Sequence, residues 1–278
     1  MKKLRVFLAQ LSTKLGDVKG NEEKILEALE AAKREKVNLL VTPELSTLGY
    51  GSGDIYLDKV NENLESLERI KERVDDLYSI IGYVEKDNYG FFYNSACLIN
   101  KKSIIGNYRK VQLVNYRLFD EKRYFKRGAK LPVFDIGDIK IGILICEDVW
   151  FPEPSRAMAL RGADLIVVLG ASPFERFKKE VWENFLIQRA RDNILPFVFC
   201  NQAGCQDGVN YLGYSMYVSA AGKIVKTGKL LEEDYVVVEV DLEESRRLRR
   251  RDTRLRELRR EILEELLRAY DEMEDDRA

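Results

Sequence analysis

Short apolar runs rich in β-branched residues alternate along this chain with segments whose apolar residues recur at helical spacing. Strands are predicted at 5–10, 38–42, 79–85, 91–99, 103–108, 133–136, 140–145, 164–169, 197–200, 214–219, 223–227 and 235–240. Helices are predicted at 21–35, 61–75, 155–161 and 177–192. Strands buried on both faces need helices over them, so this alternation predicts an α/β fold. We expect one large domain over residues 1–242.

The composition excludes several kinds of enzyme, because none of the 278 residues is a histidine. Mechanisms that need imidazole as a base, a proton shuttle or a metal ligand are therefore ruled out, including those of Ser-His-Asp and Cys-His hydrolases. The 46 basic and 47 acidic residues nearly balance, which argues against a strongly basic nucleic-acid binder. We expect a protein that needs no metal and no cofactor.

Cysteine content and hydropathy indicate where the protein acts. Four cysteines are too few for a disulfide scaffold in a chain of this size, which favours a reducing compartment. The apolar stretch at the N-terminus is too short for a signal-peptide core, and no run approaches the roughly 18 apolar residues that cross a bilayer. We expect a cytoplasmic protein that does not bind membranes.

The segment from 243 to 278 is predicted to be a charged helix outside the main domain. Leu255, Leu258, Ile262 and Leu266 recur in it at helical spacing. Its first half is rich in arginine, which is also typical of a nucleic-acid patch, but acidic residues are interspersed throughout and disfavour that interpretation. We expect this helix to dock at the domain edge or at a contact between subunits.

Three titratable residues stand just after strand-like runs. Glu44 follows NLLVTP, Lys110 follows IIGNYR and Cys146 follows IKIGILI. Ligands of covered α/β sheets bind at the carboxyl ends of strands, so these side chains are expected to share one pocket. Each has a simpler alternative, since a cysteine closing an apolar strand often packs in the core and a glutamate or lysine at a strand end is often solvated.

The residues around Cys146 favour a functional role for it. In ICEDVW the cysteine is followed by two carboxylates, and prolines 152 and 154 come soon after. A buried strand that turns abruptly into a polar loop bounded by prolines is unusual for a structural cysteine. Such a bend would expose the sulfur and aim the backbone N–H of Glu147 at a neighbouring site, as nucleophile elbows do.

Several separated motifs resemble those of the nitrilase superfamily, the carbon–nitrogen hydrolases. They are TPELSTLGY, NYRKVQLVNYRLFDEKRYF and ILICEDVW, followed by ASPF and NQAGCQD. Within the superfamily, the resemblance is greatest to the glutaminase domain of glutamine-dependent NAD synthetases. It covers residues 4 to 242, and it implies a four-layer αββα sandwich that associates into dimers or larger homo-oligomers.

The resemblance implies that Cys146 is the nucleophile, Glu44 the general base and Lys110 the cation that stabilises the tetrahedral oxyanion. A thiol is mostly protonated at neutral pH, so it needs a base, and without histidine a carboxylate takes that role. Burial must raise the pKa of Glu44 towards neutrality, whereas the lysine favours the thiolate. Attack on a primary carboxamide would expel ammonia and leave a thioester for water to hydrolyse.

Further pocket residues follow from the same resemblance. Glu121 matches a second glutamate that orients the lysine or the substrate, and its simpler alternative is a surface salt bridge with Lys122 or Arg123. The residues that match a glutamine site are Tyr116, Phe119, Glu147 and Ser172, with Lys178 as a nearby cation.

These residue types suit a free amino acid. Glu147 would bind the ammonium of glutamine, and Ser172 with Lys178 would bind its carboxylate. Tyr116 and Phe119 are equally compatible with aromatic residues of the core.

The sequence leaves three alternatives for the function. The enzymes that it resembles fuse the glutaminase domain to an ATP-using synthetase domain, whereas this chain has no Gly-Gly pair for the phosphate loop of such a domain. The first is a glutaminase that hands ammonia to a separate NAD synthetase subunit. The second is an independent amidase or nitrilase acting on another carboxamide, N-carbamoyl compound or nitrile. The third is a non-catalytic interaction module.

Overall fold

The structure, a computed structural model, describes residues 3–51 and 53–275. Its strands are β1 Lys3–Gln10, β2 Leu39–Val41, β3 Tyr78–Lys86, β4 Phe92–Asn100, β5 Ser103–Arg109, β6 Val133–Ile136, β7 Ile139–Ile145, β8 Leu165–Gly170, β9 Phe197–Asn201, β10 Ala203–Gln206, β11 Val209–Leu212, β12 Met216–Val218, β13 Ile224–Thr227 and β14 Asp234–Asp241. Its helices are α1 Val18–Arg34, α2 Ile55–Asp58, α3 Val60–Arg73, α4 Glu121–Tyr124, α5 Pro152–Leu160, α6 Lys178–Asn193, α7 Leu242–Arg249 and α8 Arg260–Asp275, and a 3₁₀ turn spans Cys146–Trp150.

Twelve of the strands form two six-stranded sheets. The first sheet has the order β14-β1-β2-β3-β4-β5 and the second has the order β13-β12-β9-β8-β7-β6. Strands β1, β2 and β3 run parallel to one another, as do β7, β8 and β9. Parallel neighbours need crossover helices, which explains why helices recur between these strands along the sequence.

The first sheet separates two apolar layers. In β1, Val6 and Leu8 face one core cluster while Phe7 and Ala9 face another. The second cluster contains the buried faces of α1 and α3, so these helices cover the outer face of the first sheet. Successive side chains of a strand point to opposite faces, and both faces here are apolar because both are buried.

The second sheet packs directly on the inner face of the first. The Cys200 thiol on β9 donates to the carbonyl oxygens of Ala9 at 3.3 Å and Val41 at 3.2 Å, both on strands of the first sheet. Helices α5 and α6 contribute Met158 and Trp182 to the core that the second sheet lines. The layers are therefore helices, sheet, sheet and helices, which confirms the predicted αββα sandwich.

One hairpin is absent from the sequence prediction. Strands β10 and β11 pair with each other as a separate two-stranded sheet. Their residues, AGCQ and VNYL, show neither a long apolar run nor clear alternation. They are held by contacts distant in sequence, such as the Gln206 side-chain N–H that donates to the Tyr50 carbonyl at 2.8 Å.

The C-terminal segment differs from the predicted single helix. It forms two helices, α7 and α8, with residues 250–259 between them. Asp252 accepts hydrogen bonds from both the backbone and the side chain of Arg254, and such local bonds compete with helix formation. Leu255 and Leu258 therefore lie in the connection and not on a continuous apolar stripe. Among the described residues, no helix has the length and apolar character to cross a membrane.

Helix α8 keeps an apolar face towards solvent. Its large apolar side chains are about half exposed, with Ile262 at 59%, Leu266 at 56% and Leu267 at 64%. Its polar face carries ion pairs, among them Arg268 with Glu265. An exposed apolar stripe at helical spacing is typical of a contact surface.

Candidate active site

The three residues singled out at strand ends lie at one end of the sandwich. Glu44 follows β2 of the first sheet, Lys110 follows β5 of the same sheet, and Cys146 follows β7 of the second sheet. The two sheets face each other, so the ends of these strands converge on the space between the layers. The fold thus brings an acid, an amine and a thiol together from three distant parts of the sequence.

Lys110 is the centre of the site. Its ammonium donates to Glu44 Oε1 at 2.7 Å and to Glu121 Oε1 at 2.7 Å. The side chains of Lys110 and Glu44 are completely buried, and that of Glu121 is 4% exposed. Isolated buried charges are unfavourable, so the cation and the two carboxylates stabilise one another in a medium of low dielectric constant.

The carboxylate of Glu44 is fixed by neighbours from both sheets. Asn94 on β4 donates to Oε1 at 2.8 Å, and the backbone N–H of Ala171, just after β8, donates to Oε2 at 3.0 Å. The preceding Pro43 lies against Gly82 of β3, where an added Cβ would lie 2.2 Å from the Pro43 carbonyl oxygen. The glycine therefore lets the loop that carries Glu44 approach the sheet closely.

Glu121 is held inside the same cluster. Besides Lys110, it accepts hydrogen bonds from the Tyr50 hydroxyl at 2.7 Å and from the Val114 backbone N–H at 3.0 Å. Its burial rules out the alternative of a surface salt bridge with Lys122 or Arg123. The structure thus places Glu121 within hydrogen-bond reach of the lysine.

Cys146 occupies a strained turn. Its φ is +44°, in the left-handed region that a residue with a Cβ seldom adopts, and the 3₁₀ turn begins there. The chain bends at this residue as predicted, and the cysteine is half-buried. Arg189 of α6 supports the turn by donating to the carbonyl oxygens of Val149 at 3.0 Å and Trp150 at 2.9 Å.

Burial and the neighbouring charges set the protonation of the three groups. Burial raises the pKa of Glu44, and Lys110 opposes that rise. Burial and then the Glu44 charge raise the pKa of the Cys146 thiol well above its ordinary value, and the pull of Lys110 towards the thiolate does not overcome them. Burial alone would lower the pKa of Lys110, but Glu121 and Glu44 outweigh it and raise the pKa. At neutral pH the lysine is an ammonium and the thiol keeps its proton.

The residues predicted to bind substrate lie around Cys146. The Tyr116 hydroxyl donates to Glu147 Oε2 at 3.4 Å, and the Tyr116 ring meets the Phe119 ring edge to face at 5.8 Å. Tyr116 is 47% exposed, so it belongs to the surface and not to the core, and Phe119 is half-buried beside it. Burial raises the pKa of Glu147, and the charge of Lys110 is the largest influence that opposes this rise. The carboxylate therefore interacts electrostatically with the buried cluster.

Ser172 and Lys178 occupy different surroundings. Ser172 is only 2% exposed, and its hydroxyl oxygen accepts a hydrogen bond from the Trp182 indole at 2.9 Å. The Lys178 ammonium lies over the Trp150 ring, 5.0 Å from its centre. Its charge opposes the burial that raises the pKa of Glu147. The lysine is therefore near Glu147, whereas the serine side chain packs against the core.

Sequence reasoning missed three residues that hold the site together: Asn94, Tyr50 and Asp148. Asn94 is a buried amide in β4, whose residues are mostly apolar, and such an interruption is a signal that a pattern search can use. Asp148 is completely buried and stands two residues after Cys146. Tyr50 lies in a loop, and its local sequence does not predict the hydrogen bond that it donates to Glu121.

The sandwich and the cluster of Glu44, Lys110 and Cys146 define a carbon–nitrogen hydrolase, an enzyme that acts on amides. The family model described as carbon–nitrogen hydrolase matches residues 5–250, and the chain belongs to this family, part of the nitrilase superfamily. The glutamine-dependent NAD(+) synthetase of Thermotoga maritima is 40% identical over 262 residues, which are 92% of this chain and 45% of that protein.

Two solved structures extend the comparison. The glutamine-dependent NAD+ synthetase of Acinetobacter baumannii, solved with ADP, has a TM-score of 0.84 and 32% identity over 88% of this chain and 47% of that one. An amidase from Nesterenkonia sp. has a TM-score of 0.82 and 26% identity over 95% of this chain and 96% of that one. The chain thus spans a little under half the length of the synthetases and nearly the whole length of the amidase.

The protonation of Cys146 gives a direct prediction. The test uses a Cys205→Ala background, which removes an exposed thiol. The rate at which iodoacetamide alkylates Cys146 should rise with pH, and the midpoint of that rise should lie above about 8.5, the ordinary pKa of cysteine. Peptide mass spectrometry measures the rate at each pH, and glutathione serves as the reference thiol. A rate that has already reached its plateau at pH 7 would show that the lysine, and not burial, controls the thiol.

Proposed function

We propose that this chain releases ammonia from glutamine through a thioester on Cys146. The observation that carries the proposal is the Lys110 ammonium, bound at 2.7 Å by each of two buried carboxylates beside the cysteine turn. This arrangement supplies a base, an oxyanion stabiliser and a nucleophile without histidine.

The proposed reaction uses the protonation states described above. Glu44 takes the thiol proton as the sulfur attacks the amide carbon, and the raised pKa of Glu44 makes it a better base than a solvated glutamate. Lys110 stabilises the negative charge that develops on the amide oxygen. Glu44 then protonates the departing ammonia, and it later activates the water that hydrolyses the thioester.

Glutamine is the substrate that the surrounding side chains suit best. A carboxylate at Glu147, half-buried and beside Lys178, is chemically matched to the α-ammonium of an amino acid. Lys178, which lies near Glu147, is the cation that we assign to the α-carboxylate of glutamine. Ser172 packs against the core with its oxygen bonded to the Trp182 indole, so we leave it out of this assignment. The 40% identity with a glutamine-dependent synthetase supports the same assignment.

The destination of the ammonia is a further part of the proposal. We assign the ammonia to an NAD synthetase, because the Thermotoga maritima relative is a glutamine-dependent NAD(+) synthetase. Glutamine turnover should therefore rise when a synthetase subunit is added. A second candidate, an independent amidase, is favoured by the similarity with the Nesterenkonia amidase over nearly the full length of both chains.

The catalytic assignment predicts a large loss of turnover in two variants. Cys146→Ala and Glu44→Gln should each lower ammonia release from glutamine by on the order of 10⁴-fold or more, because the groups act as one unit. A coupled assay for ammonia measures the rate, and Cys205→Ala, which removes an exposed cysteine, is the matched control expected to keep it. If wild type releases no ammonia from glutamine, alone or with the synthetase, the proposal fails.

The substrate assignment predicts a selective defect in Glu147→Gln. Losing a charge-assisted hydrogen bond to the α-ammonium costs roughly 1.5–3 kcal/mol, so KM for glutamine should rise by about 10-fold to 150-fold. Turnover of propionamide, which has no ammonium group, should change little. Equal losses on both amides would indicate that Glu147 acts on the reacting centre, and faster wild-type turnover of simple amides than of glutamine would favour the independent amidase.

We further propose that the apolar face of α8 contacts a second copy of this chain. At 100° per residue, Ile262, Leu266 and Leu267 lie on one side of the helix and Arg268 lies on the other. Light scattering after size-exclusion chromatography should show a homo-oligomer for wild type and for Arg268→Glu, and a smaller species for Leu267→Glu. An unchanged mass in Leu267→Glu would place the contact elsewhere.

A further inference from the structure

Asp148 is a buried carboxylate that the proposed reaction does not use. It lies in the 3₁₀ turn that begins at Cys146, and its side chain is completely buried. Oδ2 accepts a hydrogen bond from the Ile145 backbone N–H at 2.9 Å and one from the Tyr108 hydroxyl at 2.7 Å. Oδ1 accepts from the backbone N–H groups of Gln112 at 2.8 Å and Val111 at 3.2 Å.

The donors come from both sheets and bracket two residues of the site. Ile145 is the last residue of β7, immediately before Cys146, whereas Val111 and Gln112 immediately follow Lys110. One carboxylate therefore ties the backbone before the nucleophile to the backbone after the lysine. Aside from packing, Asp148 is a direct polar link between the strand end that carries the thiol and the one that carries the ammonium.

We propose that Asp148 is a positioning residue that fixes the Lys110 ammonium relative to the Cys146 thiol through its hydrogen bonds to both backbones. This inference rests on the proposed function for its catalytic consequence, but the geometry that it describes belongs to the resting protein. The strained φ of +44° at Cys146 needs such support, because strained residues persist where their surroundings hold them.

The charge of Asp148 suits this task at neutral pH. Burial raises its pKa to about 6, and the Ile145 N–H, the Lys110 charge, the Tyr108 hydroxyl and the Gln112 N–H oppose that rise. The group is therefore ionised at pH 7, and all four of its hydrogen bonds use it as an acceptor. An ionised carboxylate accepts at both oxygens, whereas an amide accepts at one and presents N–H groups at the other position.

The test compares Asp148→Asn with a matched variant, Asp87→Asn. Asp87 also accepts two backbone N–H groups, from Tyr89 and Phe91 at 2.9 Å each, and a tyrosine hydroxyl, from Tyr93 at 3.0 Å. Its hydrogen bonds lie in the turn between β3 and β4, and none of the three donors is next to Lys110 or Cys146 in the chain. The two substitutions therefore remove the same kind of acceptor from different places.

Asp148→Asn should lower kcat for glutamine by on the order of 100-fold, the effect of displacing a reacting group by about 1 Å, with little change in KM. The rate is expressed per site labelled by an electrophilic glutamine analogue, so that a smaller folded fraction does not count as slower chemistry. Asp87→Asn should keep the wild-type kcat. A kcat for Asp148→Asn within twofold of wild type, or an equal loss in Asp87→Asn, overturns the proposal.

Iodoacetamide alkylation of Cys146 separates this proposal from the proposed function. Lys110 partly offsets the rise in the pKa of the Cys146 thiol. A displaced lysine should therefore slow alkylation at a fixed pH by at least several-fold in Asp148→Asn, even if glutamine is not the substrate. Alkylation at the wild-type rate would overturn the positioning role. If Asp148→Asn does not fold, Asp148→Glu keeps the charge but lengthens the side chain, and it must show the same two losses.

Discussion

Lys110, Glu44 and Glu121 form a buried ion cluster, and the geometry of the candidate active site depends on it. Removing one partner of such a cluster leaves an uncompensated buried charge, at a typical cost of about 3–5 kcal/mol. The surrounding chain supplies the polar groups that complete it, from Asn94, Tyr50 and the backbone of residues 114 and 171. The fold therefore maintains a buried ammonium in a medium of low dielectric constant, where its field on a bound amide is strong.

The two facing sheets supply the buried setting that this cluster needs. A single sheet would offer the carboxyl ends of its strands along one edge, with solvent on one side of them. In the sandwich, Glu44 and Lys110 come from one sheet and Cys146 from the other, so the reacting groups meet between layers and are shielded from solvent. The polar interior this creates is tolerated because its polar atoms are nearly all bonded; Asn94 Oδ1 is an exception near the site among the described residues.

Sequence patterns predicted the elements whose signals are local and missed those held by distant contacts. They located the strands that precede Glu44, Lys110 and Cys146, although only β2 and β7 are buried apolar runs and β5 is only partly buried. They missed β10 and β11, which depend on partners such as Tyr50, and they joined α7 to α8 across Asp252, whose side chain bonds the local backbone. The support from Asn94 and Asp148 depends on pairing between strands, which spacing along one chain does not report.

We infer that these buried groups make Cys146 a nucleophile towards the amide of an amino acid. Mass spectrometry of the intact protein after incubation with a chloroketone analogue of glutamine tests this reactivity. We expect one covalent adduct, located on Cys146 by peptide mapping, blocked by excess glutamine and absent from Cys146→Ala. Wild-type protein that stays unmodified, or an adduct confined to the exposed Cys205, would contradict this inference.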